Sequence, residues 1–462
     1  MKKVFIILII LAAFVGGVAA GEYWFGKKAK EAFNQILKDL ADDKTILIRQ
    51  HNYQRGVISS TATTVADTAS GNLRINVKNK LHHGPFPLEE LLAGNFELNP
   101  VLAKIVSRAE VVNKAAKQKK PAVINFITTI AFNGNQSTVV NAPPGSHKTA
   151  EGTMINWQAV TGRIESGSNN GGAKGVFSLP KLVVKSHRGE STSGPVNIRY
   201  NIKNNNLGLS LGNASVELTK LNIAGVKGSQ PVDISKLQLT SSLDVKRGLL
   251  NYAMGLKTKR INYDQETYGP GDFRLVIKGV DAKAIANLQK TALGGGSGKA
   301  KNSPQVGPAF LELLGTFGKS KPVIETKMSL KTPDGEMQGT GKAMLKGNLG
   351  GAAANPLALL TALNVQGVVT LPEKLVISTA AFQVRNELKA MANDGKIPAL
   401  DVEQEAKIVN QAVAGRVSKW VSENWLEVKG NNLYQMSARY NQDGLSFNGQ
   451  PVNILQGLLP GG

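Results

Sequence analysis

The chain has 462 residues, with 55 Lys or Arg against 33 Asp or Glu and a formal charge of +22. It contains no cysteine, which excludes disulfides, thiolate metal sites and cysteine nucleophiles. With 49 glycines and 6 % aromatic residues, the composition points to a turn-rich β chain rather than a collagen-like or disordered one.

Met1-Lys2-Lys3 precedes an unbroken apolar run from Val4 to Ala20, and Tyr23-Trp24-Phe25 follows shortly after. A positive head, an apolar body and an aromatic belt make an export signal or a membrane anchor. Continued through Phe25, the run passes the roughly 20 residues needed to span hydrocarbon. Residues 1–25 are therefore read as an uncleaved signal-anchor, with Lys2 and Lys3 on the cytoplasmic side. Val18-Ala19-Ala20 offers the alternative of a cleaved signal and a soluble periplasmic protein. Either way the bulk of the chain is expected outside the cytoplasm, which removes nucleotides and nucleic acid as partners. The net charge then reads as a solvated basic surface or as attraction to anionic headgroups. Its clusters, Lys114 to Lys120 and Lys257 to Arg260, do not alternate with aromatics as a single-strand nucleic-acid groove would.

Phe33, Ile36, Leu37 and Leu40 form a helical stripe. Strand patterns follow at Ile46 to Ile48, Val57 to Val65 and Leu73 to Val77, broken at Gly56 and Gly71. Pro87 opens a short helix through Leu92, and Asn99-Pro100 is read as the start of a helix with Leu102, Ile105, Val106 and Ala109 on one face. From Pro121 to Val280 helical periodicity gives way to alternating runs: 123–132, 152–161, 181–185, 196–202, 207–218, 237–245 and 274–277. Such a series predicts a long antiparallel meander with one apolar face. Asp281 caps a helix to Leu293, and a Gly/Ser/Lys linker follows. Beyond it come a helix (308–317), strands (323–330 and 336–345), a capped helix start at Asn355-Pro356 and helices at 381–393 and 401–421. In the last helix Asp401 and Gln404 have capping-box spacing, with Val402, Val409, Val413 and Val417 along one face. Three short strands, ending with Gly444 to Asn448, finish the chain.

Candidate chemistry is sparse. Gly208-Leu209-Ser210-Leu211-Gly212 has the form of a nucleophile elbow, but strand alternation continues after it and no histidine follows Ser210. Gly294 to Lys299 lacks the first glycine and the Ser/Thr of a phosphate-binding loop. The five histidines, His51, His82, His83, His147 and His187, show no chelating spacing. No catalytic, cofactor-binding or metal-binding residue is assigned.

Three segments carry a resemblance. Tyr53-Gln54-Arg55-Gly56, with Ser59-Ser60 and Ala62, resembles the Y-x-R-G-x-x-S-S-x-A opening of the YdgA-like bacterial envelope proteins, a domain of unknown function. His83-Gly84-Pro85-Phe86-Pro87 is similar to that family's H-G-P-x-P. Gly444-Leu445 with Asn448-Gly449-Gln450-Pro451 is similar to its closing G-x-x-x-x-N-G-x-P. The resemblance implies an inner-membrane-associated protein facing the periplasm, able to self-associate, with no reaction attached. Read physically, Gly56 and Gly84-Pro85 shape turns, and Asn448-Gly449 makes a tight hairpin.

The expected fold is α+β: an extended antiparallel β-meander with helices on part of it and an N-terminal signal-anchor helix. The regions are 1–25, 26–292, the linker 293–304, and 305–462. The expected function is a non-enzymatic periplasmic protein tethered to the inner membrane, binding lipid or lipid-linked material on an apolar sheet face. The alternative is an envelope scaffold acting through protein contacts, with an enzyme third. Expected partners are the membrane, an anionic lipid or lipid-linked ligand, and a second copy of the chain.

Overall fold

The computed structural model describes residues 46–54, 59–68, 71–83, 101–114, 121–149, 152–167, 172–187, 189–225, 230–263, 265–294, 306–346, 361–398 and 401–452. The expected elements at 1–25, 33–40, 87–92 and 355–356, and the linker after Gly294, lie outside them. Among the described residues no helix is long and apolar enough to cross a membrane. The described chain is mostly antiparallel sheet with four helices, as an α+β reading requires. It divides into two compact units: Met1–Val245 with Ala282–Phe310, and Lys246–Asp281 with Leu311–Gly462.

The first unit opens with β1 (Ile46–Gln54), β2 (Ser59–Thr68), β3 (Leu73–His83), β4 (Ala103–Asn113) and β5 (Ala122–Ile130), each antiparallel to the next. The helix expected from Asn99 to Ala109 is instead β4. Leu102, Ile105, Val106 and Ala109 satisfy helical spacing, yet Ile105, Ser107 and Ala109 are buried while Val106 and Arg108 are exposed. That is period two, imposed by pairing with β3 on one edge and β5 on the other.

The meander continues through β6 (Gln136–Ala142), β7 (Gly145–Lys148), β8 (Met154–Trp157), β9 (Val160–Ser166), β10 (Ala173–Leu179), β11 (Leu182–Ser186), β12 (Gly189–Ser193), β13 (Val196–Asn204), β14 (Ser210–Ile223) and β15 (Val232–Lys246). These strands form two parallel-running series of antiparallel pairings: β5, β6, β9, β10, β13, β14 and β15 in one, and β7, β8, β11 and β12 in the other. The second series joins the same edge of β14 that β13 occupies. Four long strands are thus each interrupted once along a shared crease. Pro143-Pro144, Pro180 and Pro195 sit on it and lack the N–H a ladder needs. The single strand expected over 152–161 is split there into β8 and β9.

Asp67 ties the start of this sheet together. Its carboxylate is buried and lies 2.9 Å from Arg49, 3.0 Å from Arg74 and 2.9 Å from Lys114. Arg74 stands directly opposite it on β3, and Arg49 occupies the bulge in β1. Hydrogen bonds from Arg74 and Lys114 hold the Asp67 carboxyl well below the usual carboxylate range. A depressed pKa adds stability above the unfolded value of about 3.9, and that stability is withdrawn as pH falls below it. The cations are half exposed and water screens them, so Asp67→Asn should cost about 2 kcal/mol at neutral pH. Denaturant melts of both proteins should show this gap shrinking below about pH 4; a gap that widens in acid would refute the assignment.

The second unit contains β16 (Leu249–Tyr263), β17 (Glu266–Tyr268) and β18 (Gly271–Asp281). Two helices follow in the chain, α1 (Ala282–Gly294) and α2 (Val306–Ser320). Next come β19 (Val323–Thr332), β20 (Gly335–Leu345), β21 (Leu363–Pro372), α3 (Glu373–Asn393), α4 (Val402–Ser422), β22 (Glu427–Gly430), β23 (Leu433–Asn441), β24 (Gly444–Phe447) and β25 (Gln450–Val452). The ladder runs β17, β16, β18, β19, β20, β21, β23, with β22 and β24 sharing the far edge of β23. Helix α3 starts directly after Pro372, well before the expected residue 381, and sets Val376, Ala380 and Val384 against Val409, Val413 and Val417 of α4. The Asp401–Gln404 capping box is formed, and Arg416 grips Glu387 through two 2.7 Å hydrogen bonds. Val402, expected on the buried stripe, is exposed at the helix start.

Candidate functional site

Directly opposed residues of antiparallel strands point to the same side, so the register defines rows across the first unit. One row runs Ala62, Asn79, Ser107, Phe126, Val140, Gly162, Phe177, Ile198, Val216 and Leu239, from β2 to β15. The next holds Val77, Ala109, Ile124, Ala142, Val160, Leu179, Val196, Leu218 and Leu237. This is the apolar face that the alternation predicted, and its cover thins along the rows. Phe126 and Val140 are buried, Ile198 and Val216 are half-buried, and Leu239 is 39 % exposed. The other side of the same strands is charged: Lys174–Glu165 at 2.8 Å, Arg199–Glu217 at 3.5 Å, and Gln238 donating to Glu217 at 3.2 Å.

Glycines shape the apolar face. A Cβ on Gly162 would overlap the Phe177 ring, and one on Gly175 would overlap the Tyr200 ring. Each aromatic therefore lies flat over the glycine of the preceding strand, and the two rings stack with centroids 6.4 Å apart. Burial pushes the Tyr200 phenol above its ordinary pKa. At one end the face meets an open cavity of about 440 Å³ lined by Gln136, Ser166, Ala173 and Ile202, which form a single row, and by Glu165, Lys174 and Asn201 of the charged side. Gln136 is only 7 % exposed, and its Oε1 has no hydrogen-bond partner among the described residues.

The second unit has a groove of its own, about 740 Å³, lined by Lys342, Gln366, Ser437, Arg439, Gly449 and Pro451 among others. Tyr434 and Met436, which pack against the helices, alternate with Ser437 and Arg439, so the groove lies on the sheet face opposite α3 and α4. Asn448 lies in the chain between the lining residues Ser446 and Gly449. It sits at φ +44°, donates its N–H to the Ser437 carbonyl at 2.8 Å and accepts from the Ser437 N–H at 2.7 Å. Its Nδ2 reaches the Asn424 carbonyl at 2.7 Å. The side chain thus stands in for a ladder residue opposite Ser437, in the gap between β22 and β24 along one edge of β23.

Ser210 begins β14 and donates to Asn204 Oδ1 at 2.9 Å; the segment is a hairpin between two strands, with no helix after it. His82 is buried on β3, and His51 and His147 lie on β1 and β7. Among the described residues no three His, Cys, Asp or Glu side chains gather to hold a metal. Asp67, Glu165, Glu325 and Glu387 are all held below the ordinary carboxylate range by hydrogen-bonded cations.

A family model described as a bacterial protein of unknown function (DUF945) matches residues 1–454. The chain belongs to this family. No curated protein and no solved structure matches it. Within this DUF945 chain the first two sequence motifs converge on one end of the first sheet. Tyr53 packs on its core near the end of β1, Ser59 opens β2 opposite His82, and His83 ends β3 opposite Ala103. Arg55, Gly56, Gly84, Pro85 and Pro87 lie outside the described residues. Of the third motif, Gly449 and Pro451 line the groove of the second unit, and Asn448 braces the hairpin that carries them. Residue types alone did not mark Gln136 or the Asp67 cluster. The glycine-aromatic steps left a trace in the sequence, since Gly162 and Gly175 interrupt alternating runs where β-branched residues would be expected.

Proposed function

We propose that this DUF945 protein is a non-enzymatic, membrane-tethered envelope protein that binds acyl chains on the apolar face of its first unit. The observation that carries the reading is the pair of rows, free of polar residues from Ile124 and Phe126 onward, whose cover thins from Phe126 to Leu239. An amphipathic ligand also needs a polar end, and the cavity at Gln136 supplies Ser166, Asn201 and Lys203 there. The signal-anchor read at residues 1–25 would keep the face close to its source of lipid.

The test is native mass spectrometry of the full chain extracted in detergent. Wild type should carry phospholipid. Leu237→Glu/Leu239→Glu should lose at least tenfold of it, because an unpaired charge beside acyl chains costs several kcal/mol. Both side chains are already partly exposed, so the melting temperature without lipid should change little. Gln136→Met removes a buried unpaired acceptor and should leave stability equal or higher in denaturant melts. No lipid on wild type, or equal lipid on the double variant, would overturn the proposal. A scaffold role is the second reading, favoured by Phe382 and Ile377, which are 63 % and 42 % exposed on α3.

A further inference from the structure

The side of the first sheet opposite the acyl-binding face carries a feature of its own. The register aligns Val106, Ile127 and Val139 across β4, β5 and β6, directly beside one another. They are 38 %, 41 % and 40 % exposed, so they form a continuous apolar stripe in contact with water. The same row begins with Lys80 opposite Val106 and continues with Arg163 opposite Val139. Lys78 and Lys104 flank it two positions along β3 and β4. On this side Glu165 is paired with Lys174 at 2.8 Å and Glu110 with Arg108 at 3.1 Å. An apolar line bordered by cations has a specific complement: a surface whose outer layer is anionic and whose next layer is hydrocarbon.

We infer that this side of the sheet docks on an anionic phospholipid membrane, with Val106, Ile127 and Val139 entering the interface and the surrounding Lys and Arg meeting headgroup phosphates. Each such cation near an anionic membrane strengthens binding by about fivefold, and the attraction decays within a Debye length. Docking is independent of acyl binding on the opposite side. It would hold the first unit flat against the bilayer instead of leaving it extended from its tether.

The chain has no cysteine, so single cysteines can be labelled cleanly in the full-length protein. A polarity-sensitive fluorophore is placed at Ile127→Cys and, as a control, at Glu403→Cys, which is exposed on α4. Both are reconstituted into vesicles of phosphatidylcholine with or without about one-third phosphatidylglycerol. The expected result is a blue shift at position 127 only with phosphatidylglycerol, reversed in 1 M salt, where the Debye length is about 3 Å. The control position should not respond. Neutralising Lys78, Lys80 and Arg163 to Gln should abolish the shift with an unchanged melting temperature, since all three are exposed. An absent shift, one equal in pure phosphatidylcholine, or one that survives the neutralised variant would overturn the inference. A blue shift that appears only on adding a protein fraction would replace the membrane with a protein partner.

Discussion

Asn448→Ala is expected to lower the stability of the second unit by about 3 kcal/mol, the largest effect expected from any partly exposed residue. Alanine removes the acceptor that meets the Ser437 N–H at 2.7 Å and Oγ at 3.0 Å, and the donor to Asn424 at 2.7 Å. It also places a Cβ without local polar compensation at φ +44°, a conformation asparagine tolerates far better. Asn448→Asp separates the two contributions. It keeps the acceptor and the backbone preference but loses the donor, and should cost about half as much. Chemical denaturation of the three proteins checks the order. If alanine and aspartate cost the same, the acceptor contributes nothing and the bridging role fails.

Phe126→Ala is the second large effect, expected at about 3–5 kcal/mol because the ring is fully buried and its loss leaves a cavity. Phe126 lies between Ser107 and Val140 in the central row, where the apolar face is most completely covered. Leu239→Ala, at the thin end of the same row, should cost about 1 kcal/mol or less. The contrast between one row's two ends measures the gradient on which acyl binding depends. Equal penalties at both positions would mean that the face is ordinary core along its whole length.

Much of this architecture could be read from period two alone. The alternation in β3, β5, β13 and β15 marked strands, and the capping box and valine stripe placed α4. β4 defeated the reading because four apolar residues happened to satisfy helical spacing, and only its neighbours decide between the two periods. β16 went unread because Lys257 to Arg260 looks like a solvated charge cluster, although Lys257 is paired with Asp272 at 3.2 Å on β18. The crease was hidden for a different reason. A proline reads as the end of an element, yet here Pro143, Pro180 and Pro195 interrupt strands that resume in line. An apolar face was predictable, but its extent was not, since rows such as Phe126 to Leu239 are built by register between distant segments. The membrane-docking stripe is legible only from that register too: Val106, Ile127 and Val139 are unremarkable until they stand side by side.

The most direct test of acyl binding is photocrosslinking in intact bacterial envelopes. A diazirine amino acid is placed at Leu239, on the apolar face, or at Gln238, which faces the charged side and donates to Glu217. After irradiation, mass spectrometry of the purified protein should show lipid-mass adducts from position 239 and none from position 238. Adducts of protein mass alone at position 239, or lipid adducts in equal yield at both positions, would contradict the account.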